Sequence, residues 1–281
     1  MDMLANAALW LQRTMKGAVF AVFVFAAACA AWSVSIAAHE LVGHGGVCAV
    51  NPGCSWLYAD AMYFDGTPQT GAWKVAELAA GSILNVLIGT LALVATIRFR
   101  NNLGIVSVPI HLLIPVSFIQ AGAYIGLGGF IHDGMDWARL AAMSDAPART
   151  ETVFLVAGVL LILFGVCAAK MTAPVGRSQS GSLPGWPRYL VISYLGFSMT
   201  ALAASAFVPS EDRWFMLAGG LGGGAFFMSF YLLGLSPFPP LPARAMCAPS
   251  LAQLYTAIAL CFVITAFYVI VLGSGVHFGS T

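Results

Sequence analysis

The chain has 281 residues, of which 60% are hydrophobic and 8% charged, against roughly 25% charged in a soluble domain. So little charge cannot solvate a protein surface, which excludes an ordinary soluble fold and points to a lipid bilayer. A net charge of +1 and the lack of any basic run give no support to nucleic acid as a partner, and none is expected.

Crossing about 30 Å of hydrocarbon takes around 20 apolar residues as helix. Stretches of that kind fall at 17–38, 75–97, 104–131, 152–169, 189–208, 214–235 and 251–273. Their apolarity is continuous, unlike the alternation over roughly ten residues of a membrane barrel strand. The expected fold is therefore all-α, a polytopic membrane bundle of about six to seven transmembrane helices. The first run is too long for the apolar core of a signal peptide and is expected to stay as the first membrane helix. With the N-terminus inside, Arg13, Lys16, Arg98, Arg100, Lys170, Arg177, Arg188 and Arg244 fall inside, and Lys74, Arg139, Arg149 and Arg213 outside, a bias that favours this orientation. Connections are short, so function is expected within the bundle. No C-x-x-C pair occurs among the six cysteines, which argues against a thiolate zinc cluster.

Ionisable groups at membrane depth are expensive and usually line a cavity or bind something. Two of only five histidines lie in "AAHELVGHGG", residues 37–46. A histidine pair with an adjacent glutamate is the donor set of a metal hydrolase: imidazoles hold the ion and the carboxylate takes a proton from water. The usual spacing is four residues. His39 and His44 are five apart, and in a regular α-helix a five-residue step turns about 140° past a full turn, so the rings would diverge. A π-turn brings positions i and i+5 back onto one face, and Gly43, Gly45 and Gly46 ease a distortion or a helix end. A straight α-helix would instead pair Glu40 with His44 as ligands. The π-turn or helix end leaves Glu40 as general base.

The next helix reads "AELAAGSILNVLIGTL" over residues 76–91. Its Gly81 and Asn85, four apart, resemble the G-x-x-x-N helix of the site-2 protease (M50) family of intramembrane zinc metalloproteases. In that family a first core helix carries H-E-x-x-H, a hairpin or loop follows, and a third helix ends in L-D-G, whose Asp is the third zinc ligand. The resemblance makes residues 47–74 the membrane-associated hairpin or loop. It makes Asn85 and Gly81 substrate-binding, and it finds the third element in "GGFIHDGMDWARL", residues 128–140. There Asp133 precedes Gly134 as in L-D-G, whereas Asp136, ahead of Arg139 and Leu140, resembles the wider L-D-G-G-R-L form. Both stand as candidates, with Asp136 preferred, and His132 is adjacent. The Asn-Pro that precedes L-D-G in the family is missing. A Pro-rich string, "SPFPPLPAR" at 236–244, occurs later and has no carboxylate.

The resemblance covers residues 17–140. It implies a metalloprotease-like core at 1–150 with three motif-bearing helices, and additional transmembrane helices at 151–281. The implied function is a zinc endopeptidase that cleaves the transmembrane segment of membrane-anchored proteins. In it Zn2+ is held by His39, His44 and Asp136 or Asp133, and Glu40 is the catalytic base. Its partners are the membrane-anchored substrate and the lipid bilayer, and the expected location is multi-pass in a bacterial inner (plasma) membrane. Family precedent turns the catalytic end toward the cytosol, opposite to the charge count. The alternative is a protease-like scaffold or metal-binding membrane protein that does not hydrolyse peptides. A transporter or channel is disfavoured, because the second half holds no inverted repeat of the motif helices.

Overall fold

The computed structural model describes residues 2–50, 54–57, 62–64, 71–99, 104–131, 136–172, 186–207 and 250–272, and residues 217, 221, 274 and 276–277. Helix α1 (Asp2–Ala37) passes into a π-helix (Ala38–His44) and a short α2 (Gly45–Val50). Strands β1 (Cys54–Leu57) and β2 (Met62–Phe64) follow, then α3 (Gly71–Arg98), a 3-10 turn (Gly104–Val106) and α4 (Ser107–Ile131). The remaining elements are α5 (Asp136–Ala142), α6 (Pro147–Thr172), α7 (Trp186–Ser205), α8 (Leu251–Phe267), a second π-turn (Tyr268–Leu272) and β3 (Val276–His277).

The molecule is an all-α helical bundle. Among the described residues, five helices are long and apolar enough to cross a membrane: Gly17–Val47, Gly71–Arg98, Gly104–Gly126, Pro147–Thr172 and Leu251–Leu272. The stretch expected at 189–208 is helix α7, whose 20 residues are too polar in composition to join those five. Its Ser193 and Thr200 bond back to the carbonyls of Tyr189 and Gly196. The run at 214–235 lies outside the described residues apart from 217 and 221.

The first helix is the hub. It packs on α4, α7 and α8 through a buried series of small side chains, Ala26, Ala27, Ala28, Ala30 and Ala31, flanked by Phe23, Val24 and Trp32. Small residues let membrane helices approach closely where lipid supplies no hydrophobic drive between them. Gly196 of α7 lies so near α1 that an added Cβ would meet the Ala28 Cβ and the Phe25 carbonyl, both at 2.7 Å. The α4–α6 contact follows the same rule: Gly122 and Gly126 face Gly158, and a Cβ at Gly122 would stand 2.6 Å from the Gly158 carbonyl. A buried polar clasp joins α4, α6 and α7. The Tyr189 hydroxyl lies 2.9 Å from His111 Nδ1, and His111 Nε2–H donates to the Ala169 carbonyl at 2.8 Å. The outward faces of α3 (Ile83, Leu87, Leu91, Val94) and α6 (Val153, Val156, Leu160, Phe164) are apolar and exposed, as surfaces in contact with lipid would be.

The expected hairpin after the first helix is present. β1 and β2 pair antiparallel, with Leu57 opposite Met62, Trp56 opposite Tyr63 and an irregularity between Cys54 and Trp56. β3, from near the end of the chain, pairs with the other edge of β1 through Trp56–His277 and Leu57–Val276, giving a small three-stranded sheet in the order β2-β1-β3.

Candidate metal centre

His39 and His44 lie on the π-helix, and the Gly45 N–H closing that segment reaches back to the carbonyls of Glu40 and Val42. The first of these bonds spans five residues, the π-helical span, so the side chains of positions 39 and 44 return to one face. The two imidazoles are 4.9 Å apart between centroids and both are buried. The wider turn fits because its outer wall is backbone without side chain: a Cβ on Gly43 would meet Gly81 Cα at 2.6 Å and Gly81 N at 2.9 Å.

Each ring is oriented from behind. His44 Nδ1 lies 2.7 Å from the Glu77 carbonyl. A carbonyl only accepts, so Nδ1 carries a proton and Nε2 of the neutral ring is left bare. His44 Nε2 stands 3.2 Å from His39 Nε2 and 3.2 Å from Asp136 Oδ2. One donor atom each from His39, His44 and Asp136 falls within 4.8 Å of the others. Ligands of a tetrahedral ion with bonds of about 2.0–2.2 Å stand about 3.3–3.5 Å apart. The two 3.2 Å separations about His44 Nε2 are close to that spacing, and an ion there would have three protein donors and a fourth position left over.

Glu40 is also buried, with Oε1 3.8 Å from His39 Nε2, beside the donor atoms rather than opposite them. Asp136 is the most open member, its side chain 21% exposed against 5% for His44, so the site opens on its Asp136 side. Burial opposes ionisation of Asp136. In the ion's absence a second proton, on His44 Nε2, lets that ring donate to Asp136, and this bond and charge, with the charges of His39 and Arg139, outweigh burial and hold the carboxyl below the ordinary carboxylate range.

Asp136 is the first residue of α5, a helix too short to hold its own position. Trp137 fixes it: the indole Nε1–H donates to Ser82 Oγ at 2.9 Å, and the ring meets Phe154 edge to face at 4.9 Å. α5 is thereby tied to α3 and α6, with Trp137, next to Asp136, bonded to Ser82, next to Gly81. Asp133 and His132 lie outside the described residues.

Gly81 and Asn85 lie against His39. A Cβ at Gly81 would land on the imidazole, within 2.6 Å of Cε1, so the glycine leaves the space that the ring fills. The Asn85 amide sits 3.1 Å from His39 Nδ1, and Tyr124 covers the ring with centroids 4.6 Å apart. Behind Asn85 are Ser35, Ser117 and Gln120, all buried. Sequence reasoning passed over Ser35, Ser117, Gln120, Tyr124, Ser82 and Trp137. One signal was there: Ser117, Gln120 and Tyr124 recur at three and four residues along α4, and Ser35 precedes His39 by four, a polar face on otherwise apolar helices.

No family model, no curated protein and no solved structure matches the chain.

Proposed function

We propose that the chain is a zinc-dependent intramembrane endopeptidase, a divergent relative of the site-2 proteases, that cuts the membrane-spanning segment of anchored proteins. The carrying observation is the convergence of the buried His39 Nε2 and His44 Nε2 with the half-buried Asp136 carboxylate, with Glu40 3.8 Å from the first. Three protein ligands and an open fourth position distinguish catalytic zinc sites from closed structural ones. When bound, zinc supplies Lewis acidity: it polarises a carbonyl and makes water acidic enough to lose a proton near neutral pH.

The chain's own residues do the rest. His39, His44 and Asp136 fix the ion, and Glu40 accepts a proton from the attacking water and passes it to the leaving amine. The half-open Asp136 side is where an unwound substrate strand enters, and burial of the remainder keeps bulk water from the reacting atoms. Placement in a bacterial inner membrane rests on the family resemblance alone. Two histidines and a carboxylate also suit ferrous iron, and metal analysis of the purified protein separates the two.

The test uses the full chain in zinc-containing liposomes with a single-span substrate protein. Wild type cleaves it; Glu40→Gln keeps its metal and loses on the order of 10²–10⁴ in rate, the usual contribution of a general base. Cleavage by a zinc-loaded Glu40→Gln protein at the wild-type rate overturns the mechanism. Zinc-loaded wild type that leaves every tested substrate intact favours the metal-binding scaffold.

A further inference from the structure

Behind His39 lies a closed group of uncharged polar side chains. Asn85 Nδ2 faces His39 Nδ1 at 3.1 Å and Gln120 Oε1 at 3.4 Å, while Asn85 Oδ1 faces Ser35 Oγ at 3.4 Å. Ser35 Oγ also reaches Gln120 Oε1 at 2.5 Å and Ser117 Oγ at 3.2 Å. Among the described residues, Gln120 Nε2 is buried with no hydrogen-bond partner. In this arrangement the Asn85 amide donates to His39 Nδ1. The ring proton must then sit on Nε2, between the two imidazoles and pointing at His44.

A cation on His39 Nε2 requires the opposite tautomer, with the proton on Nδ1 and an acceptor facing it. Turning the Asn85 amide by 180° supplies that acceptor: Oδ1 takes the place of Nδ2 against Nδ1–H, and Nδ2 donates to Ser35 Oγ. Turning Gln120 likewise sets its Nε2 against Asn85 Oδ1 and Ser35 Oγ. Ser35 then accepts two hydrogen bonds and donates one to Ser117, its full complement. The orphan of the group becomes a carbonyl oxygen instead of an amide N–H, the less rare and less costly case. Every donor and acceptor facing His39 is matched in the turned arrangement.

We propose that Asn85 and Gln120 form a paired amide clamp that sets the tautomer of His39, admitting the metal when Asn85 Oδ1 faces the ring and holding a proton in its place when Nδ2 does. Asn85 is thus a positioning residue acting through His39, and Gln120 positions Asn85. The inference rests on the metal site proposed above and adds to it the control of one ligand.

The test measures zinc affinity of the full chain in detergent by competition with a chromogenic chelator, and the visible absorption of the Co2+-loaded protein. Asn85→Leu fills the same space without an acceptor and is expected to weaken zinc by 10–100-fold, the usual effect of removing such a partner, and to shift the Co2+ bands. Asn85→Asp, which presents oxygen in either orientation, is expected to bind at least as tightly as wild type. Gln120→Leu is expected to weaken zinc in the same direction by less, and it carries the test if Asn85→Leu fails to fold. A packing role predicts the reverse order, with leucine tolerated better than aspartate. Equal zinc affinity in wild type, Asn85→Leu and Gln120→Leu overturns the clamp while leaving the metal site standing, and wild type without zinc or cobalt overturns both.

Discussion

At the scale of single residues, the centre depends as much on what is absent as on its donors. Gly81 has no side chain because the His39 ring occupies the space. Gly81→Ala must displace the His39 ring from a buried position, where overpacking costs about 1–3 kcal/mol, and a 1 Å shift would spoil the tetrahedral geometry of the proposed site. The expected outcome is loss of most bound metal with the helical circular dichroism retained. Gly46→Ala is the matched control, since among the described residues a Cβ there meets nothing within 4 Å; metal content is expected to stay at the wild-type level. His39, Glu40, His44 and Asp136 were legible because ionisable groups stand out in an apolar chain. Gly81 and Asn85 were legible as a motif, but their contact with His39 was not, since a four-residue spacing says which face two residues share and nothing about what lies opposite. Ser35, Ser117, Gln120 and Tyr124 went unread for a different reason: single serines and amides in membrane helices commonly bond to their own backbone or glue helices together.

At the scale of elements, the π-helix turns a five-residue spacing into a common face. Spacing alone carried this inference, because geometry leaves few ways for both rings to reach one ion. It also makes deletion tolerable at one place. Removing Val42, which is 62% exposed, restores the four-residue step in a regular α-helix, where His39 and His44 again share a face. The deletion is expected to retain stoichiometric zinc, whereas deletion of Val24 in the buried core of α1 is not. The α5 latch gives a second expectation. Trp137→Phe keeps the contact with Phe154 but loses the indole donor to Ser82; loosening of Asp136 should weaken zinc several-fold in the chelator titration, and Ser82→Ala should do the same. The hairpin at β1 and β2 was legible from loop length and aromatic content. Its third strand was not: two residues, Val276 and His277, pair with β1 across more than two hundred positions of chain, and so short a segment carries no periodic signal.

At the scale of the whole molecule, composition was enough for an all-α membrane bundle, because continuous apolarity in lipid leaves the α-helix as the open choice. The number of spans was less legible. Hydropathy marks a stretch as apolar without saying whether it faces lipid or protein, and α7 carries hydroxyls, of which those of Ser193 and Thr200 bond back to its own backbone. Interior packing relies on glycine at the α4–α6 contact, so Gly158→Leu, pushing into Gly122 and Gly126, is expected to lower the thermal unfolding temperature or prevent accumulation of the protein. Gly104→Ala, at φ +50°, meets nothing within 4 Å among the described residues, and it is expected to cost only its local backbone strain, about 1–2 kcal/mol.

The central claim is that the bundle brings His39, His44 and Asp136 from two distant segments onto one metal ion. Metal analysis with zinc-edge X-ray absorption on the purified full chain addresses it most directly, in wild type and in His39→Ala, His44→Ala and Asp136→Ala. About one zinc per chain is expected in wild type, in a shell of two imidazole nitrogens with carboxylate and water oxygens, falling well below stoichiometry in each variant. A wild-type protein without bound metal, or zinc unchanged in all three variants, would contradict the account.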